Sequence, residues 1–215
     1  MTISAKICGV TTPDAVAATI AGGASHMGLN FYPPSPRYVS PADAATLAAE
    51  TPLEVCKVGV FVDVDDDALG AVLDAVALDL LQLHGNETVE RVAAVRRRFG
   101  LPVMKAIRVA GPDDIEMAAA FTEVADWLLF DARAPAEMKD ALPGGNALSF
   151  DWGLIAGRSW PVPWMLSGGL LVGNVAEAVS VSGAGVVDVS SGIEDRRGHK
   201  SPAMIEDFLA QVAGL

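Results

Sequence analysis

Apolar positions along this chain fall into short runs separated by longer, Ala-rich stretches. Eight runs read as strands, at residues 3–8, 26–31, 55–62, 78–83, 102–109, 127–131, 164–167 and 186–190, each rich in β-branched or other apolar side chains. The stretches between them open on acidic residues or on Ser-Pro, which are helix-start signals. The first helix is predicted from Pro13-Asp14 to Ile20, ended by Gly22-Gly23. A second starts at Ser40-Pro41 and the last at Ser201-Pro202, where serine caps and proline takes the first helical position. The acidic run 63–67 opens the third, because negative charge suits a helix N-terminus; no second ligand cluster supports a metal reading. Further helices end at Arg98, start at Pro112-Asp113 and start at Asn174. Residues 132–150 are the least regular and are expected to form a long loop over the mouth. Eight strand–helix units without a composition break predict an α/β fold, a single (β/α)8 TIM barrel occupying residues 1–215 as one domain.

Composition narrows the function. The formal charge is -12, from 27 acidic and 15 basic residues, which argues against nucleic-acid or anionic-membrane partners. An anionic substrate would have to be held by local dipoles. The N-terminus lacks the basic-then-apolar design of a secretory signal, and no apolar run approaches the ~18 residues needed to span a bilayer. Cys8 and Cys56 are the only cysteines, too few for a disulfide framework, so a reducing cytoplasm is expected. The sequon at Asn86 then carries no meaning.

Chemistry is expected at the C-terminal ends of the strands, which gather at one face of a barrel. Cys8 and Asp131 close two of them. Cys8 is either a buried space-filler or a proton-transfer group. Lys6, on the same face two residues earlier, is expected to favour its thiolate. Cys56 reads as core. Asp131 follows Leu-Leu-Phe, surroundings in which a carboxyl resists ionising and can act as a general acid; otherwise it caps a helix or pairs with Arg133. Gly168-Gly169 and Ser191-Gly192 end strands seven and eight, where barrels often build a phosphate site from backbone N–H groups. Arg37, at the end of a loop stiffened by three prolines, is placed to hold a carboxylate bidentately. Gln82 and His84 end strand four and are expected to line the mouth. His26, His84 and His199 show no metal-ligand spacing. Lys6 and Asp188 lie on neighbouring strands at barrel closure and are expected to pair inside it, since neither would be buried alone.

Taken in order, these segments resemble the phosphoribosylanthranilate isomerase family of tryptophan biosynthesis. The motifs are KICGVT at 6–11, FYPPSPRYV at 31–39, GVFVD at 59–63, LQLHG at 81–85, KAIRV at 105–109 and LLFDAR at 128–133. FDW at 150–152, LSGGLLVGNV at 166–175 and DVSSGIE at 188–194 complete the set, which spans nearly the whole chain. The resemblance implies an Amadori rearrangement of N-(5-phosphoribosyl)anthranilate. It implies Asp131 as general acid, Cys8 as general base, and Arg37 on the anthranilate carboxylate. Gln82 and His84 would belong to the binding site, and Gly168, Gly169, Ser191 and Gly192 would hold the phosphate. It implies no metal and no organic cofactor. The partner is a small phosphorylated substrate, and the protein is expected as a monomer or homodimer.

The chain departs from the family pattern at Pro34, at Asp63, at Ser201 and in the stretch 144–149, which bears on how the loop after strand six closes. Two other readings remain: another sugar-phosphate isomerase or epimerase barrel, and a non-catalytic barrel that binds a phosphorylated ligand. The first generally lacks a cysteine closing strand one. The second need not keep Cys8 or Asp131.

Overall fold

Ser40 Oγ accepts the Asp43 N–H at 3.1 Å and Ser201 Oγ accepts the Met204 N–H at 3.4 Å, so both Ser-Pro pairs open helices as predicted. Thr12, Asp65 and Thr88 cap three more helices in the same way. The computed structural model of the protein describes residues 2–135, 137, 138 and 141–215. Its first half runs β1 (Ser4–Cys8), α1 (Pro13–Ala21), β2 (His26–Asn30), α2 (Pro41–Ala49), β3 (Cys56–Phe61), α3 (Asp66–Ala75), β4 (Leu80–Leu83) and α4 (Val89–Phe99). The second half runs β5 (Val103–Val109), α5 (Pro112–Ala118), β6 (Trp127–Ala132), β7 (Trp164–Leu166), α6 (Val175–Ser182) and β8 (Val186–Val189). A hairpin of β9 (Glu194–Arg196) and β10 (His199–Lys200) precedes α7 (Pro202–Ala213). Strands β1 to β8 are all parallel, pair in sequence order, and close where β8 meets β1.

Two expectations need correcting. Among the described residues the sixth strand is followed by no α-helix, so the count of eight strand–helix units falls one helix short. Between Ala132 and β7 the described residues make a 3-10 turn at Trp152–Leu154 and no α-helix. Pro135, Pro143 and Gly144-Gly145 break any helical period there. Residues 136, 139 and 140 of the expected long loop lie outside the described residues. The second correction is the hairpin β9–β10, in a stretch for which no element was predicted. Its charged residues show no alternation, and its turn depends on Gly198 at φ 86.

Strand residues alternate between two cores. One set, including Ile7, Met27, Leu29, Leu81 and Phe130, packs between barrel and helices. The other, Val58, Leu80, Met104, Ala106, Leu129 and Met165, fills the barrel itself. Above that apolar plug the interior turns polar. Lys6 faces Asp188 in register, and Lys6 Nζ meets Asp188 Oδ1 at 2.7 Å with both side chains buried, so the expected pair is present. Ser167 Oγ donates to the other carboxylate oxygen at 2.9 Å. Removing one member of such a pair strands the other's charge, at a cost of about 3–5 kcal/mol.

Candidate active site

Cys8 sits at the last position of β1, one interior layer above Lys6. Its register partner is Gly28, where a Cβ would lie 2.9 Å from the Cys8 sulfur. Only glycine there leaves the thiol room. The Lys6 ammonium beneath it is paired with Asp188. Burial works against the charge on Lys6, but chiefly the Asp188 carboxylate beside it holds Lys6 above the ordinary lysine range. Lys6 favours the Cys8 thiolate as expected, but it does not set the balance there. Burial dominates at Cys8 and pushes the thiol up; Lys6 opposes this, while the Asp188 carboxylate adds to it.

Asp131 stands in β6, three places from β1 round the barrel through β8 and β7, and lines the same cavity as Cys8. Its apolar predecessors are not its immediate partners. Phe130 points outward to Trp160 and Trp164. The carboxyl itself accepts the Ala132 N–H on Oδ1 at 2.9 Å and contacts His84 Nε2 through Oδ2 at 3.1 Å. Behind the histidine, the Gln82 amide nitrogen donates to Nδ1 at 2.8 Å. That contact places the ring proton on Nε2, facing Asp131. Gln82 therefore does not line the mouth as expected. It is wholly buried, orients His84 from below, and leaves its own Oε1 unpartnered among the described residues.

The cavity, about 740 Å³ with its open mouth included, is lined by Cys8, Arg37, His84, Asp131, Gly168, Gly169 and Ser191 among others. Seven of the nine predicted residues thus meet in one place. Gln82 and Gly192 stand just behind it. At Gly192 a Cβ would collide with the Leu170 carbonyl, so this glycine lets the loops after β7 and β8 lie against each other. Gly168 and Gly169 take left-handed conformations at φ 91 and 62, which set the backbone at the rim.

Arg37 is buried and held on its Nε edge. Its Nε donates to Glu194 Oε1 at 2.7 Å and its Nη2 to Glu194 Oε2 at 3.0 Å. Glu194 in turn meets Lys200 Nζ at 2.6 Å. Sequence reading missed both Glu194 and Lys200. Glu194 closes the DVSSGIE stretch, but nothing local marks it or Lys200 as a partner of Arg37. The described part of the loop after β6 lies over the mouth, as expected. Residues 142–148 roof the cavity, and a Cβ at Gly144 would lie 2.6 Å from both Asp131 Oδ2 and His84 Nε2. Asn146, one of the departures noted above, clasps Leu142 twice, donating to its carbonyl at 2.6 Å and accepting its N–H at 2.9 Å. This side chain shapes residues 142–146 of the loop. Among the described residues no group of three His, Cys, Asp or Glu side chains is placed to hold a metal ion.

The family model described as N-(5'phosphoribosyl)anthranilate (PRA) isomerase matches residues 5–211. The chain belongs to that family. A relative from Rhodospirillum centenum named N-(5'-phosphoribosyl)anthranilate isomerase is 59% identical over 215 residues, covering 100% of both chains. Among solved structures, the phosphoribosyl anthranilate isomerase of Thermotoga maritima superposes with a TM-score of 0.86 at 35% identity, over 99% of this chain and 100% of that one. A further phosphoribosyl anthranilate isomerase, in complex with reduced 1-(o-carboxyphenylamino)-1-deoxyribulose 5-phosphate, gives a TM-score of 0.83 at 34% identity with the same coverage. Membership fixes the barrel as a phosphoribosylanthranilate isomerase fold and makes the mouth between β1 and β6 the place to look for its chemistry.

Proposed function

We infer that this chain isomerises N-(5'-phosphoribosyl)anthranilate to 1-(2-carboxyphenylamino)-1-deoxyribulose 5-phosphate, a step of tryptophan biosynthesis. The observation that carries the reading is the meeting of Cys8 and Asp131 in one buried cavity whose rim holds a guanidinium and a pair of left-handed glycines. The substrate has a carboxylate at one end, a phosphate at the other and a furanose between them, and the cavity offers a counterpart for each. Asp131 donates its proton to the furanose ring oxygen as the bond from that oxygen to C1 breaks, leaving an iminium between C1 and the anthranilate nitrogen. Cys8, as thiolate, takes the proton from C2, and the electron pair of that C–H bond forms the C1–C2 double bond of an enolamine. Loss of the C2 hydroxyl proton and protonation at C1 then give the ketone. No atom is gained or lost, as an isomerisation requires.

Arg37 serves as the carboxylate anchor and Gly168, Gly169 and Ser191 as the phosphate rim, with Gly192 shaping the latter. His84, oriented by Gln82, holds Asp131 in place. Among the described residues no helix is long and apolar enough to cross a membrane. Both cysteines are free, in keeping with a reducing cytoplasm; the partner is a small phosphorylated molecule and the protein a monomer or homodimer. A fluorescence assay with phosphoribosylanthranilate generated in situ tests the reading directly. Turnover is expected for the unaltered protein, and a folded protein that leaves the substrate unchanged would refute it. In the same assay Arg37→Ala is expected to raise KM more than it lowers kcat, because the carboxylate lies far from the proton that moves. A fall confined to kcat would remove the anchoring role.

A further inference from the structure

Glu194 accepts four hydrogen bonds at one side of the mouth. Oε1 accepts from Arg37 Nε at 2.7 Å and from Lys200 Nζ at 2.6 Å; Oε2 accepts from Arg37 Nη2 and from the Gly198 N–H, each at 3.0 Å. The side chains of Arg37, Glu194 and Lys200 are all nearly inaccessible to solvent. Burial alone would raise the Glu194 carboxyl, yet the two cations hold it at about 2, so it is ionised throughout the range in which the protein works. Two cations against one carboxylate leave a net positive charge at this side of the mouth, in a chain whose overall charge is -12.

The geometry is directional. The second Nη2 hydrogen goes to the Gly145 carbonyl at 3.2 Å. With the Nε edge held by Glu194, the guanidinium's remaining donors are the two on Nη1. The hairpin also seats the loop that carries Arg37, since a Cβ at Gly198 would lie 2.5 Å from the Pro36 carbonyl oxygen. Lys200 ties the same carboxylate to the cavity rim by donating to the Ser190 carbonyl at 2.9 Å.

We propose that Glu194 is a positioning residue: by gripping one edge of Arg37 it aims the Nη1 donors into the cavity, and so sets the preference for a substrate whose aryl ring bears a carboxylate. This rests on the reading of Arg37 as the carboxylate anchor. An untethered arginine at the end of a loop samples many rotamers and binds a carboxylate in no fixed place. One held bidentately presents the donors it has left in a single geometry, so the ring must arrive with its carboxylate on that side.

The test uses two unreactive ligands, the reduced carboxyphenylamino product analogue and its phenylamino counterpart without the carboxylate. Both keep the phosphate, so both bind measurably. Calorimetric Kd values are compared for the wild type, Glu194→Gln, Glu194→Asp and Arg37→Ala. The wild type is expected to prefer the carboxylated ligand, and Arg37→Ala to lose that preference. Glu194→Gln should cut the preference by at least about tenfold while the phenylamino ligand's Kd moves less than about threefold, the scale of one charge-assisted hydrogen bond losing its aim. Glu194→Asp, which keeps the charge but shortens the reach, should fall between them and carries the test if the glutamine variant does not fold. A merely structural role would weaken both ligands alike, and that result overturns the proposal. So does an unchanged or increased preference in Glu194→Gln beside a lost one in Arg37→Ala. A preference that survives Arg37→Ala refutes the anchor reading itself.

Discussion

Cys8→Ala is expected to lower kcat by at least about a hundredfold while leaving the protein folded, the usual consequence of deleting a general base. The alanine fits where the thiol was, since Gly28 opposite already leaves space. Lys6 and Asp188 keep each other's charge satisfied, so stability should change little. The environment of the thiol adds a pH signature. Burial raises its pKa, and a base works only when deprotonated, so kcat/KM should still be climbing as pH passes the ordinary thiol range. The sign follows because the thiolate fraction grows with pH, and Lys6 checks but does not cancel the rise. Cys8→Ser should be as inactive as the alanine variant, its hydroxyl being far too weak an acid to supply an anion. Turnover near wild type in either variant would take the thiol out of the mechanism.

Asp131→Asn is expected to cost as much, about a hundredfold or more in kcat. An amide cannot deliver a proton to the ring oxygen, so the furanose would stay closed. The loss should appear equally in kcat and kcat/KM, because the proton is given only in the transition state and not on binding. A structural consequence accompanies the chemical one. The side-chain oxygen of asparagine can keep the Ala132 N–H, but its NH2 then faces the hydrogen on His84 Nε2, and two donors repel. The imidazole should turn away, which chemical shifts of the ring would report. Substantial activity in a folded Asp131→Asn protein would mean that another acid opens the ring.

Much of this site was legible before any coordinates. Cys8 and Asp131 stood out because each ends a strand-like run in a chain whose alternation already implied a barrel mouth. Gly168 and Gly169 were legible for a related reason: paired glycines after a strand mark a backbone turn that side chains resist. Lys6 and Asp188 could be paired because strand order in a closed barrel makes the first and last strands neighbours. The roles of Gln82 and Glu194 were less accessible. Gln82 looked like a mouth residue because polar groups in apolar strands are found there, and only the side-chain packing showed it one layer below, serving His84. Glu194 meets Arg37 across 157 positions of sequence, and no local pattern links them. The absence of a sixth α-helix among the described residues lies between, since prolines and glycines in 132–150 announced irregularity but not its extent.

The sequence by itself determined the barrel, through periodicity, caps and glycine punctuation. It also determined which strand ends carry a thiol, a carboxyl and a rim of glycines, because these are properties of residues and their near neighbours. The tertiary structure decided what those groups experience: that burial outweighs Lys6 at the thiol, that His84 and a backbone N–H hold Asp131, that Asn146 shapes the roof, and that Glu194 sets the edge Arg37 presents. Solvent exclusion and charge pairing depend on which distant segments enclose a group, and that enclosure exists only once the chain has closed into a barrel.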